Sequence, residues 1–248
     1  MVLFYWDYNL KYNILNQNKV KSIVKTKSST LEEIDLTSYL EMKKIKVVDT
    51  NIGDFICSVF NERPYSFKSS AIHKNTLHIA DIYTDKFGVK ENLNAKQLTT
   101  YTKNILRNEV YNPEALITGA NFLISNTGSI VFTENEGNIL KSSTFTPIHI
   151  VVAGIDKTIT SIDELSVLLP LSSLYDTNKN ISSLYSVINS PSKIDDKFQD
   201  LYLILLNNNR INILSKEKQR NILSCIQCGA CLEVCPIYNT VGGHTYEE

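Results

Sequence analysis

Apolar and polar positions follow two different periods along this chain, and the changes of period mark its elements. The first 20 residues have no clean period. "VKSIVKTKSS" (20–29) then reads as a strand running into a polar turn. "TLEEIDLTSYLEMK" (30–43) switches to helical spacing, with Thr30 placed to cap and Glu33 three positions on to complete a capping box. "IKVVDT" (45–50) predicts a second strand, and "IGDFICSVF" (52–60) an amphipathic helix that stops before Pro64, which disfavours helix at Arg63. "AIHKNTLHIADIYTDKFG" (71–88) and "AKQLTTYTKNILRNEVYN" (95–112) predict two more helices, the second ended by Asn112-Pro113.

Strand signals dominate the middle. "ANFLIS" (120–125) and "SIVFTE" (129–134) are joined through Asn126-Thr127-Gly128, a turn in which Gly128 supplies positive φ. "IHIVVAGI" (148–155) is a continuous apolar run, as expected of a strand buried on both faces. "SIDELSVLLPLSSLYD" (161–176) predicts a capped helix, "DLYLILL" (200–206) a last strand, and "SKEKQRNIL" (215–223) a helix leading into a cysteine cluster. Helices alternating with buried strands predict an α/β domain with a largely parallel sheet and flanking helices over residues 1–214. Residues 215–248 are too few to build a core and need a cofactor or a partner.

Composition narrows the function. A net charge of −1, with both signs interspersed, gives no basic field to gather nucleic acid. The longest apolar runs fall far short of a membrane span. The opening "MVLFYW" lacks the length and cleavage site of an export signal, so a cytoplasmic protein is expected. In that reducing compartment clustered thiols read as metal or redox ligands before disulfides.

Four of the five cysteines fall in "CIQCGACLEVCP", spaced Cys225-x2-Cys228-x2-Cys231-x3-Cys235-Pro236. Two-residue intervals bring three thiolates around one corner of a cubane, and Gly229 and Ala230 let the backbone approach the sulfides. This is the bacterial ferredoxin run, in which the first three cysteines hold one 4Fe–4S cluster and the fourth ligates another. Structural zinc favours separated cysteine pairs or a Cys/His mixture. His244 is a nearby extra candidate, more naturally a loop residue. In ferredoxin geometry Cys225, Cys228 and Cys231 need a fourth ligand and Cys235 needs three companions. The remaining cysteine, Cys57, sits in an amphipathic stretch and reads as a small core side chain. The chain is therefore expected to hold one or two 4Fe–4S clusters only with ligands from elsewhere, and its cysteine segment to be mobile until they dock.

A ligand pocket is expected where strand ends meet glycine turns. Thr127, Gly128 and Ser129 in "NTGS", and Glu136, Gly137 and Asn138 in "NEGN", are the candidates, with the glycines exposing backbone N–H groups to an anion. Glu136 is a candidate acid, base or hydrogen-bond anchor. Both stretches are equally good turn sequences. Lys27 and Ser28, after the first strand, are placed to reach the same pocket. His73-Lys74 offers no evident partner and reads as helix surface. The chain has neither a Ser/His/Asp arrangement nor a GxGxxG stretch.

"ITGANFLISNTGSIVFTENEGN" followed by "PIHIVVAGIDK" resembles the central signature of the lactate-utilisation (LUD) domain. "CIQCGACLEVCPIYNTVGGHTY" resembles the ferredoxin segment that follows it in the lactate-utilisation protein B family. "VKTKSSTLEEI" and "RPYSFKSSAIHK" match stretches that precede the signature there. The resemblance implies a fold like that of ribose-5-phosphate isomerases and CoA transferases. It also implies an iron–sulfur subunit, not catalytic alone, that works with two sister components in oxidising L-lactate to pyruvate. The chain departs from the family in being shorter at both ends, as a fragment or a shortened form would be. Two alternatives stay open: a small-molecule enzyme of the sugar-phosphate isomerase or CoA-transferase class, and a piece of a longer iron–sulfur protein.

Overall fold

The computed structural model describes residues 2–5, 8–66, 69–89, 93–111, 113–177, 184–194 and 196–243. In chain order the elements are β1 (Val2–Tyr5), α1 (Tyr8–Gln17), β2 (Ser22–Lys25), α2 (Ser29–Glu32), α3 (Leu36–Met42), β3 (Lys46–Asp49), α4 (Ile52–Phe60), α5 (Thr76–Phe87) and α6 (Ala95–Tyr111). There follow β4 (Ala115–Gly119), β5 (Phe122–Ile124), β6 (Ser129–Glu134), α7 (Asn138–Phe145), β7 (Ile148–Gly154), β8 (Thr158–Ile159), α8 (Leu165–Thr177) and β9 (Leu184–Ile188). The chain closes with β10 (Lys193–Ile194), β11 (Lys197–Phe198), β12 (Asp200–Leu206), α9 (Arg210–Leu214), α10 (Ala230–Glu233) and α11 (Pro236–Val241).

The central sheet has the order β1-β12-β7-β4-β2-β3, and every neighbouring pair in it is parallel. A parallel sheet needs both faces covered, and all seven residues of β7 are buried, apolar or glycine except His149, whose ring meets Thr118 Oγ1. Ile150 and Val152 join Ile23, Ile117 and Ile204 under α1–α3, where Leu15, Leu31 and Leu40 complete the core. Val151 and Ala153 point the other way, onto Phe132, Ile130 and Leu123 of a second, mixed sheet ordered β8-β5-β6-β9. Each of these side chains except that of Ala153, which is smaller, contributes about 1.5–3 kcal/mol by leaving water. A third cluster gathers α4, α5 and α6 around Tyr83, whose hydroxyl reaches Thr102 Oγ1 at 2.7 Å.

Several local expectations change. The stretch 30–43 is two helices, broken where Asp35 takes φ 41°. Ser28, not Thr30, stands at the N-cap of α2, without a side-chain cap; Thr30 is buried and Glu33 pairs with Arg210. α5 begins at Thr76, because Asn75 Oδ1 accepts from His78 N at 2.8 Å and caps it there. His73 and Lys74 lie in the preceding turn, paired with Glu62 at 2.8 and 2.6 Å. The stretch 215–223 forms a turn and the start of a 3-10 helix, Arg220–Ser224, whose Ile222 stays exposed. β1 and α1 come from the part of the chain without a period.

Along the sheet the chain steps from β2 outward to β3, then returns to the other side of β2 as β4. This reversal opens a crevice at the carboxyl ends of β2 and β4, the usual ligand position in an open α/β sheet. Among the described residues no helix is long and apolar enough to cross a membrane.

Candidate functional site

A polar cavity of about 550 Å³ occupies that crevice. Its floor is the loop after β2 (Thr26 to Thr30) and the residues ending β4 (Gly119 to Asn121). Gly119 is required here: a Cβ on it would stand 2.1 Å from Ser28 Oγ and 2.6 Å from Ser28 Cβ. Asn51, after β3, holds the β2 loop by accepting from Lys27 N at 2.8 Å. Lys27 Nζ donates to Ser70 Oγ at 2.8 Å, and Ser70 donates to the buried Asp54 at 2.5 Å.

The "NEGN" stretch forms one wall. Gly137 takes φ 68° and starts α7. The amides of Ile139 and Leu140 at that helix start donate to Glu134, at 2.7 and 3.0 Å, so a side chain of the protein already satisfies them. Asn138 Nδ2 donates to Thr50 Oγ1 at 2.8 Å and ties the wall to β3. Glu136 accepts from Ile52 N at 3.4 Å and lines both this cavity and a neighbouring one of about 210 Å³ beside Lys103, Arg107 and Lys141. A group in a concave wall keeps surface while protein displaces much of its water. That desolvation, followed by Asp54, raises the Glu136 carboxyl above its usual range, against the pull of the Ile52 amide.

Lys27, Glu136 and Asn138 therefore share one cavity. Thr127, Gly128 and Ser129 do not line either cavity; they form the tight turn at the far end of β6, where Gly128 has φ 66° and Thr127 and Ser129 hydroxyls meet at 2.6 Å. The two glycine turns flank one strand, and a strand separates what it flanks. Sequence reasoning also passed over Lys157, which lines the cavity and is buried. Burial lowers its ammonium pKa, and Asp156 and then Cys225 oppose that. The signal was available: "AGIDK" places a lysine directly beyond the most buried strand.

Arg210 closes the same end of the sheet. It grips Glu33 with both terminal nitrogens, at 2.9 and 2.7 Å, and Asp156 with Nε at 2.5 Å. Gly154 leaves room for this contact, since a Cβ there would meet Asp156 Oδ1 at 2.1 Å.

The cysteine segment packs over this end and is not detached from the α/β domain. Ile226, Gln227 and Glu233 line the 550 Å³ cavity. Ser29 Oγ donates to Gln227 Oε1 at 2.6 Å, Gly243 N donates to Tyr65 O at 2.5 Å, and Tyr238 is buried. Cys225 and Cys231 are exposed, and Cys228 and Cys235 half-buried. Gln227 at φ 57° and Gly229 at φ 72° turn the chain between them, and Gln227 N points to Cys225 Sγ at 3.4 Å. Four thiols with a backbone amide aimed at sulfur fit the donor chemistry of an iron–sulfur cluster. Among the described residues, no three His, Cys, Asp or Glu side chains gather into a group that could hold a metal ion. Cys57 lies buried in α4, its thiol pushed up to about 11 by burial, then by Asp54 and Glu62. His244 lies outside the described residues.

Comparison with known proteins gives a consistent pattern. The LUD domain matches residues 13–214. "Lactate utilization protein B" of Geobacillus sp. (strain WCH70) is 34% identical over 237 residues, covering 94% of this chain and 50% of that protein. The protein of the same name in Bacillus subtilis (strain 168) is 33% identical over 238 residues, covering 94% of this chain and 49% of its own. This chain thus spans about half the length of the curated relatives it matches. A crystal structure of a DUF162 family protein from Deinococcus radiodurans aligns over 79% of this chain and 93% of its own, with 11% identity and a TM-score of 0.32, too low to carry an argument.

Proposed function

The chain belongs to the LUD domain family, and from that premise we propose that it serves lactate utilisation as an iron–sulfur electron-transfer unit. The relatives named lactate utilization protein B support the process. The observation that carries the role is the placement of the cysteine segment. Its residues Ile226, Gln227 and Glu233 form part of the cavity wall, so the thiols lie beside the place where a small molecule would sit.

Cys225, Cys228 and Cys231 would hold one cluster and Cys235 would ligate another, with the missing ligands from a sister subunit or another part of the polypeptide. A bound 4Fe–4S cluster supplies one-electron transfer. The protein's own residues do the rest. Gln227 N–H donates toward the Cys225 sulfur, and such bonds tune potential. The Ser29–Gln227 and Gly243–Tyr65 contacts hold the segment against the sheet. Glu136 and Lys27 polarise the cavity beside it.

Protein reconstituted anaerobically with iron and sulfide is expected to show visible absorption that dithionite bleaches. Serine at Cys225, Cys228 or Cys231 abolishes that absorption. Bleachable absorption that survives all three substitutions contradicts the assignment. The cavity also keeps a second reading in view, a small-molecule enzyme of the sugar-phosphate isomerase or CoA-transferase class. Turnover of such a substrate by iron-free protein would favour it.

A further inference from the structure

Lys157 ends the 3-10 turn Ile155–Lys157 after β7 and is only 7% exposed. Lysines are almost never so buried unless paired, because an ammonium out of water needs a compensating charge. Among the described residues, its Nζ has no hydrogen-bond or ion-pair partner. Of the acidic groups that share its surroundings, Asp156 is committed to Arg210 Nε and Glu33 to both terminal nitrogens of Arg210; the third is the Cys225 thiol. Lys157 lines the 550 Å³ cavity. A second incomplete group lines it too: Thr26 is 1% exposed, and its Oγ1 has no hydrogen-bond partner.

We propose that Lys157 anchors a small polar monocarboxylate in this cavity, with the Thr26 hydroxyl as a further hydrogen-bonding group for it. The charge count selects the class. Lys27 is occupied with Ser70 beside Asp54, which leaves Lys157 as the uncommitted cation among the described lining residues. Glu32, Glu134, Glu136 and Glu233 line the same space. The single uncommitted cation compensates one negative charge. A phosphate dianion would keep its second charge uncompensated, and these carboxylates would repel it about twice as strongly as a monoanion. Because Ile226 and Gln227 close the cavity, the anion would lie under the cysteine segment. The inference rests on the cavity and not on a cluster, so it stands or falls in iron-free protein.

The test is calorimetric titration of the iron-free full chain with acetate, L-lactate, D-gluconate and inorganic phosphate at matched ionic strength. Saturable binding of at least one monocarboxylate is expected, at least ten-fold tighter than phosphate. Lys157→Met weakens it at least ten-fold with a cooperative melting transition retained, and Thr26→Val weakens it less. No monocarboxylate binding, tighter phosphate binding, or unchanged affinity in Lys157→Met overturns the proposal. Should Lys157→Met fail to fold, wild-type protein decides. The bound carboxylate must slow acetylation of Lys157, mapped by mass spectrometry, and a lack of protection overturns the proposal.

Discussion

Ser29 Oγ and Gln227 Oε1 meet at 2.6 Å, across 198 residues of sequence. One opens α2 just after β2, the other belongs to the cysteine segment, so the bond fastens the segment to the cavity floor. Gln227 holds φ 57°, a left-handed conformation uncommon outside glycine. The side-chain bond offsets that backbone cost.

Removing the clasp should loosen the segment without unfolding the domain. Ser29→Ala loses about 1 kcal/mol of hydrogen bonding. Gln227→Gly loses the bond but relieves the backbone, so its melting temperature stays closer to wild type. In both variants amide exchange of residues 225–243 should accelerate while β4 and β7 keep their protection. Unchanged exchange in both would show that the contact holds nothing.

Gly119 and Ser28 form a second, testable pair. Gly119→Ala forces its Cβ against Ser28 and should cost about 1–3 kcal/mol, the usual range for overpacking. Adding Ser28→Gly should recover most of that loss in chemical denaturation. Simply additive losses would place the strain elsewhere.

His149 gives the fold a pH dependence. It is fully buried in β7, with Nε2 2.9 Å from Thr118 Oγ1, and burial drives its pKa from 6.5 down to about 3. Between those values the unfolded chain binds the proton and the folded chain does not, so stability falls as pH falls through that window. The slope reaches up to about 1.4 kcal/mol per pH unit. His149→Gln should flatten the decline between pH 6 and 4 in urea titrations. An equal decline in both proteins would remove His149 as its source.

Cysteine reactivity should divide by environment. Burial pushes the Cys57 thiol up to about 11 and hides it from solvent, whereas Cys225 and Cys231 are exposed. At pH 8, iodoacetamide should label Cys225 and Cys231 in metal-free native protein and reach Cys57 only after denaturation. Equal labelling of Cys57 in native protein would contradict its placement in the core.

The strongest periodic signals were legible because they report burial directly. β7 is almost wholly apolar, His149 excepted, because both of its faces are covered, and that run is visible in the sequence. β1 was not legible, since an edge strand is specified by its partner β12, 200 residues away in register, rather than by a local pattern. The break at Asp35 and the late start of α5 depend on which side chain wins a cap, a competition that spacing alone does not decide. At the site, Lys27, Glu136 and Asn138 were readable as polar residues beside strand ends. "NTGS" was readable as a turn, but which end of β6 faces the crevice is a matter of sheet packing. The position of Lys157 directly beyond β7 was readable, but its burial is a property of the fold around it.

The assignment of the four cysteines is tested most directly by metal and acid-labile sulfide analysis of the protein purified anaerobically after reconstitution. The account predicts iron and labile sulfide in equal amounts, lost together on serine substitution at Cys225, Cys228 or Cys231. Stoichiometric zinc with no labile sulfide would contradict it.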